Sequence, residues 1–201
     1  MPSILVICTG NVCRSPMAEG FLRTTLRRRF GDRAPAVASA GTSGWEGSGA
    51  MPESVDAAEE RGVDISRHVA RRLTRGDVYD SDVVIAMAAE HRDAVSRAMP
   101  EAAGRTFTLK ELVRLLEALP APTGPLGADD LPDRVAKAEE LRRGGFAGNP
   151  HDEDIVDPLG LPLESFRAIA WELDEWTARL AQSLYGSTPA AAAAGLDEDG
   201  R

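Results

Sequence analysis

Ile4-Leu5-Val6-Ile7-Cys8-Thr9-Gly10-Asn11-Val12-Cys13-Arg14-Ser15-Pro16 carries a strand, a loop and a helix start in one short run. Ile4–Ile7 is continuous, apolar and mostly β-branched, the pattern of a strand buried on both faces of a parallel sheet. Thr9-Gly10-Asn11 is turn chemistry. Ser15 is read as an N-cap with Pro16 at the first helical position, and Met17, Phe21 and Leu22 then share one helical face. Downstream, Ala36–Ala40 and Val83–Met87 read as further strands, and Arg105–Thr108 as a short edge strand. Helices are expected over Pro52–Arg61, closed by Gly62, over residues 89 to 98, and over Leu109–Leu119, where Leu112, Leu115, Leu116 and Leu119 are in phase. A last helix, Leu163–Leu184, aligns Phe166, Ile169, Leu173, Trp176 and Leu180. This repeated strand–helix order predicts a doubly wound α/β fold with right-handed crossovers.

The chain has 201 residues, which at roughly 100 to 200 per domain allows one domain. A net charge of -9 repels nucleic acid and anionic membranes, and no apolar run approaches the ~20 residues of a membrane span. Met1-Pro2-Ser3 lacks the basic start of a secretory signal, so a cytoplasmic protein is expected. Cys8 and Cys13 are the only cysteines, too few for a disulfide-framed fold or a four-cysteine zinc site, and no His/Cys spacing suggests a metal. No cofactor is expected. From Pro120 to Pro150 the texture changes: Pro120, Pro122, Pro125 and Pro132 with Gly124 and Gly127 make a loop-like segment before a polar helical stretch, residues 133 to 143, which Gly144-Gly145 closes. This reads as an excursion inserted into a domain of residues 1–186. Its acids Asp129, Asp130, Asp133, Glu139 and Glu140 either approach the cleft or keep a mobile flap soluble, and the second is expected. Residues 187–201, with Ala190–Ala194 and Asp197-Glu198-Asp199, read as a disordered tail.

Cys8 and Arg14 are separated by five residues, between a buried strand and a helix N-terminus. A loop wrapped there points backbone N–H groups into one concavity, where the helix dipole adds positive charge, so it holds a tetrahedral dianion. Arg14 binds two phosphate oxygens at once, as lysine cannot. The same field favours the Cys8 thiolate, and Ser15 is placed to donate a hydrogen bond to its sulfur. The bland alternative is a small buried cysteine and a solvated arginine. Agreement of the strand, Gly10, Asn11 and the Ser15-Pro16 start favours the functional reading. A Walker-type loop is excluded, since no Gly-Lys-Ser/Thr occurs and Lys110 and Lys137 are the only lysines.

Val6 to Glu19 resembles the signature of the low-molecular-weight protein tyrosine phosphatases. Ser39-Ala40-Gly41-Thr42-Ser43-Gly44-Trp45 resembles the family segment that gives the cleft an aromatic wall. Arg67-His68 to Leu73 resembles its next landmark, and Asp157-Pro158 its catalytic aspartate loop. The likeness covers residues 4–115 and 152–184. It implies a three-layer α/β/α fold with a four-stranded parallel sheet and a metal-independent, two-step phosphatase. Cys8, Arg14 and Asp157 would be catalytic, Thr9, Gly10, Asn11, Val12, Cys13, Arg14 and Ser15 would bind phosphate, and Trp45 and Leu159 would form the substrate wall. Asp152, Glu153 and Asp154 compete with Asp157 for the role of proton donor and otherwise read as a solvated loop. Pro158 singles out Asp157, since it holds the preceding residue extended. The resemblance also implies that Cys13 can form a protective disulfide with Cys8 under oxidation, against the plain reading of a small packed side chain. His68 would hydrogen-bond the loop through Asn11 and Ser39. His91 and His151 read as surface residues.

Val12 occupies a position that is aliphatic in tyrosine-specific members of the family and threonine in the related protein-arginine phosphatases. Asp157-Pro158 is followed by Leu159-Gly160 where eukaryotic tyrosine-specific members carry aromatics. Ala88 stands where many members carry a polar or acidic side chain. A phosphotyrosine-type phosphatase is therefore expected, with phosphoarginine or a small phosphorylated metabolite as alternative substrate. An arsenate reductase and a non-catalytic phosphate-binding module rank lower. The expected partner is a phosphorylated protein or small molecule, acted on by a monomer or weak dimer.

Overall fold

The computed structural model describes residues 2–120, 126–146 and 152–186. Four strands, β1 (Ser3–Cys8), β2 (Ala36–Gly41), β3 (Val83–Ala86) and β4 (Thr106–Thr108), form one parallel sheet in the order β2-β1-β3-β4. Ile4 pairs with Val37 on one side and Val83 on the other, which makes β1 a central strand.

Side chains alternate across a strand, and the two cores divide by that alternation. Ile4, Val6 and Cys8 of β1 with Val83 and Ile85 of β3 face one layer, while Leu5, Ile7, Val84 and Ala86 face the other. The larger layer holds α1 (Arg14–Phe30), α2 (Pro52–Glu59), α5 (Leu109–Ala118), α6 (Leu131–Arg143) and α7 (Leu163–Tyr185). The smaller holds α3 (Arg75–Tyr79) and α4 (Ala89–Ala98), through Val78 and Val95. Phe21, Phe107 and Phe166 are fully buried in the larger core, each stabilising by about 1.5–3 kcal/mol through removal from water. This is the expected three-layer α/β/α architecture. The short helix α3 is additional, started by a capping box in which Thr74 and Asp77 satisfy each other's backbone N–H groups.

Two expectations are corrected. Ser15 does not cap α1: the helix begins at Arg14 with Cys13 as its N-cap, and no side chain caps it. The Ser15 hydroxyl is engaged inside the loop, as described below. The inserted excursion is not a mobile flap over its central part. Helix α6 buries Leu131, Val135 and Ala138 in the main core, and Arg134 donates to the Ser183 carbonyl at 2.8 Å. Arg142 stacks 4.1 Å from the Phe107 ring centroid and donates to the carbonyls of Thr106 and Ala103. Glu139, one of the presumed solubilising acids, pairs with Arg142 and Arg143. The expected tail at 187–201 and His151 lie outside the described residues.

Candidate active site

The loop between β1 and α1 is shaped by what its carbonyls do. Cys8 O accepts from Thr42 N at 2.9 Å, Thr9 O from Ser43 N at 3.0 Å, and Gly10 O from Trp45 N at 2.9 Å. Asn11 O accepts from His68 Nε2 at 2.8 Å and Val12 O from Met51 N at 2.8 Å. Each peptide is planar and trans, so a carbonyl turned outward turns the amide of the next residue inward. The amides of Thr9 to Cys13 therefore face the concavity, and that of Asn11 already lies 3.3 Å from Cys8 Sγ. Gly41 and Gly44 permit this zipper, since a Cβ would lie 2.5 Å from Thr9 O at the first and from Arg71 O at the second.

Asn11 is the keystone. It is fully buried at φ 59°, a left-handed conformation that asparagine tolerates better than most residues. Its Nδ2 donates to Ser15 Oγ at 2.9 Å and to Ser39 Oγ at 2.8 Å, and its Oδ1 accepts from Arg71 N at 2.9 Å. Ser39 Oγ in turn donates a hydrogen bond to Glu19 Oε2 at 2.6 Å. Ser15 Oγ, which accepts from Asn11, also lies 2.9 Å from Cys8 Sγ, where its hydroxyl donates once the sulfur is a thiolate. Asn11→Ala should lose at least about 3 kcal/mol in chemical denaturation, from unpaired buried groups and a left-handed alanine. A loss below about 1 kcal/mol would remove Asn11 from this role.

Arg14 is buried, and its fork is held at its far edge. Nη1 donates to Ile155 O at 3.0 Å, and Nη2 to Thr9 Oγ1 at 3.2 Å and to Asp157 Oδ2 at 2.5 Å. Its Nε is buried and has no acceptor among the described residues. A buried charged donor without a partner is costly, and an oxyanion in the concavity would complete it.

Asp157 sits on a clamped loop and is itself half-exposed. Ile155 N donates to Met87 O at 2.8 Å, Asp154 caps Ala89 N of α4 at 2.7 Å, and Lys110 holds both Asp152 and the Asp154 carbonyl. Glu153 accepts from Arg92 at 2.9 Å, and its carboxyl is pushed up by burial and then by Glu111. Of the three competing acids only Glu153 is buried, while Asp152 and Asp154 stay solvent-exposed but are tied down by these contacts, and Asp157 is the one that reaches Arg14. Asp154 also supplies the α4 cap that Ala88, an N-cap without a side-chain oxygen, does not.

Cys13 is buried and its thiol is pushed up to about 12, first by burial, which keeps it neutral and no competitor to Cys8. Both cysteines are free. Trp45, half-exposed, stands over Gly10, with Val12 buried beside them and Leu159 exposed at the rim. His68 meets the loop at the Asn11 carbonyl, while the Ser39 contact to Asn11 is separate. His91 is not a surface residue: it is 2% exposed, and Nε2 lies 2.9 Å from Thr9 Oγ1. Burial, then Arg14, holds its pKa below the ordinary value. The signal for its burial was present, since His91, Val95 and Met99 recur every four residues and all are buried. Among the described residues no cluster of His, Cys, Asp and Glu is placed to hold a metal, and no helix is long and apolar enough to cross a membrane.

A parallel α/β sheet with a cysteine–arginine loop at its first strand-to-helix turn, overhung by a carboxylate from another loop, defines the class of cysteine-dependent phosphatases. Residues 3–121 match the family model of low molecular weight phosphotyrosine protein phosphatases, and the chain belongs to that family. It is 31% identical over 181 residues to a protein-arginine-phosphatase of Geobacillus stearothermophilus, covering 90% of this chain and 95% of that one. A solved low molecular weight protein tyrosine phosphatase from T. tengcongensis is 31% identical, with a TM-score of 0.68 over 90% of this chain and 99% of that one. The structure of a YwlE arginine phosphatase with serine in place of cysteine and its active-site serine phosphorylated is 27% identical, with a TM-score of 0.67 over 90% and 95% of the two chains.

Proposed function

We propose that this phosphatase hydrolyses phosphotyrosine-type phosphomonoesters in two steps, with Cys8 as nucleophile and Asp157 as general acid and base. The observation that carries it is the loop itself: amides turned inward over Cys8 Sγ, beside an arginine whose buried Nε has no partner among the described residues. The phosphoryl group lies between those amides and the Nε edge of Arg14, where negative charge is stabilised through the displacement. The Cys8 sulfur donates an electron pair to phosphorus, the bond from phosphorus to the leaving oxygen breaks, and Asp157 gives that oxygen its proton. Water then attacks the phosphocysteine, Asp157 takes the water's proton, and the sulfur leaves as thiolate. The hydroxyl of Ser15, pointed at the sulfur, stabilises that thiolate in both steps.

Val12 and Trp45 support an aryl substrate. Trp45 gives a phenyl ring an apolar face, and Val12 has no hydroxyl to hold a guanidino group or water. A second reading, phosphoarginine, is favoured by the likeness to the Geobacillus arginine phosphatase along almost the whole of both chains, and by the aliphatic rim at Leu159. Steady-state hydrolysis of phosphotyrosine and phosphoarginine peptides separates the two. Wild type should favour phosphotyrosine, and Val12→Thr should shift the kcat/KM ratio toward phosphoarginine by about ten-fold or more, on the scale of one hydrogen bond. Wild type preferring phosphoarginine would overturn the substrate assignment, and no activity on either peptide or on a generic aryl phosphate would overturn the phosphatase reading. The need for a reduced nucleophile supports a reducing compartment such as the cytoplasm. Its macromolecular partners are phosphorylated proteins, and the net charge of -9 argues against nucleic acid.

A further inference from the structure

We propose that His91 is a positioning residue of this reaction: through the hydroxyl of Thr9 it holds the guanidinium of Arg14 so that the Nε edge faces the phosphate. The proposal rests on the phosphatase reading above.

His91 Nε2 lies 2.9 Å from Thr9 Oγ1, and the same oxygen accepts from Arg14 Nη2 at 3.2 Å. All three side chains come from different elements. Arg14 opens α1, Thr9 follows β1 and His91 lies in the first turn of α4. An arginine side chain is long and has many rotamers to lose, so a preset fork needs anchors on the edge away from the ligand. Ile155 O holds Nη1 and Thr9 holds Nη2. Asp157 also touches Nη2, but a proton donor that works on the leaving group is a poor permanent anchor. Thr9 is the fixed partner, and His91 fixes Thr9.

The protons can be placed. His91 Nδ1 is buried without a partner among the described residues. With the proton on Nε2, Nδ1 is left as an unpaired acceptor, which proteins tolerate better than an orphaned N–H. Nε2–H then donates to Thr9 Oγ1, whose second lone pair accepts from Arg14. The Thr9 proton is released for a third acceptor, a phosphate oxygen. A protonated imidazole would put a second cation beside Arg14. Burial and Arg14 hold His91 neutral, against the opposing pull of Glu90 at 3.4 Å, Asp157 and Asp154.

The test measures binding of inorganic phosphate by calorimetry together with kcat/KM on an aryl phosphate, for Thr9→Val, His91→Leu, the double variant and His91→Gln. Each of the first two should weaken phosphate binding about ten-fold, the scale of one hydrogen bond to a charged group. The double variant should be no weaker than the weaker single one, because both break one chain. His91→Gln, which keeps an N–H donor, should return to within about three-fold of wild type. A residue that only fills the core would lower the melting temperature and leave phosphate affinity unchanged. Phosphate affinity unchanged in His91→Leu, or two losses that add, would overturn the proposal. Should His91→Leu not fold, Thr9→Val against His91→Gln decides, since wild-type affinity in Thr9→Val breaks the chain at its centre. If wild type hydrolyses no aryl phosphate the phosphatase reading falls, while the calorimetry still settles what His91 does for Arg14.

Discussion

Replacing Cys8 with serine should remove steady-state hydrolysis of an aryl phosphate by about 10⁴-fold or more while phosphate binding persists. Toward a Cys8 thiolate, the two groups that touch Sγ, the Ser15 hydroxyl and the Asn11 amide, both act as donors. Donors stabilise a sulfur anion that already exists. They give a serine hydroxyl no base to accept its proton, and an alcohol has far less anion to offer at neutral pH than a thiol. If serine does attack slowly, the product is an ordinary phosphate ester rather than a phosphocysteine, and its oxygen leaves less readily than sulfur. Phosphoserine should then accumulate and be seen by intact-protein mass spectrometry, as in the related arginine phosphatase whose active-site serine is phosphorylated. Arg14 and the inward amides are untouched, so phosphate affinity should equal or exceed that of wild type. Turnover within about ten-fold of wild type would remove Cys8 from the nucleophile's role.

The parts of the fold legible in the sequence were those where one local pattern has one outcome. Ile4–Ile7 and Val83–Ala86 are apolar without interruption because both of their faces are buried, and alternate residues serve alternate layers. The loop was legible because its turn residues, strand and helix start agree over a short span. What failed were residues whose role is set from far along the chain. Ser15 carries the signature of a cap, but Asn11 and Cys8 take its hydroxyl. Asp152, Glu153, Asp154 and Asp157 are alike in sequence and separated only by their partners: Lys110, Arg92, the α4 amide and Arg14. Helix α6 looked too polar to pack, because Arg134 and Arg142 bury apolar stems while their guanidinium groups reach backbone carbonyls.

Asp157→Asn should lower kcat about 10²- to 10³-fold on a phosphate ester with a poor leaving group. Asparagine preserves shape and hydrogen-bonding reach but cannot deliver a proton to the departing oxygen or take one from the attacking water. The two losses separate by leaving group. For an activated aryl phosphate, whose phenoxide departs unaided, formation of the phosphocysteine should be nearly normal and its hydrolysis slow, so a burst of phenol should precede a reduced steady state. For an unactivated ester the first step is also slowed and the burst should vanish. Phosphate binding should tighten or stay equal, because the Asp157 carboxylate at 2.5 Å from Arg14 Nη2 competes with the incoming anion for the same guanidinium. The substitution therefore dissociates affinity from turnover, which a general loosening of the site does not do, since that would lower both. Wild-type turnover on the unactivated ester would take the proton donor away from Asp157. No neighbour could then inherit the role without rearrangement, because Asp152, Glu153 and Asp154 are each held by the contacts that clamp their loop to α4 and α5.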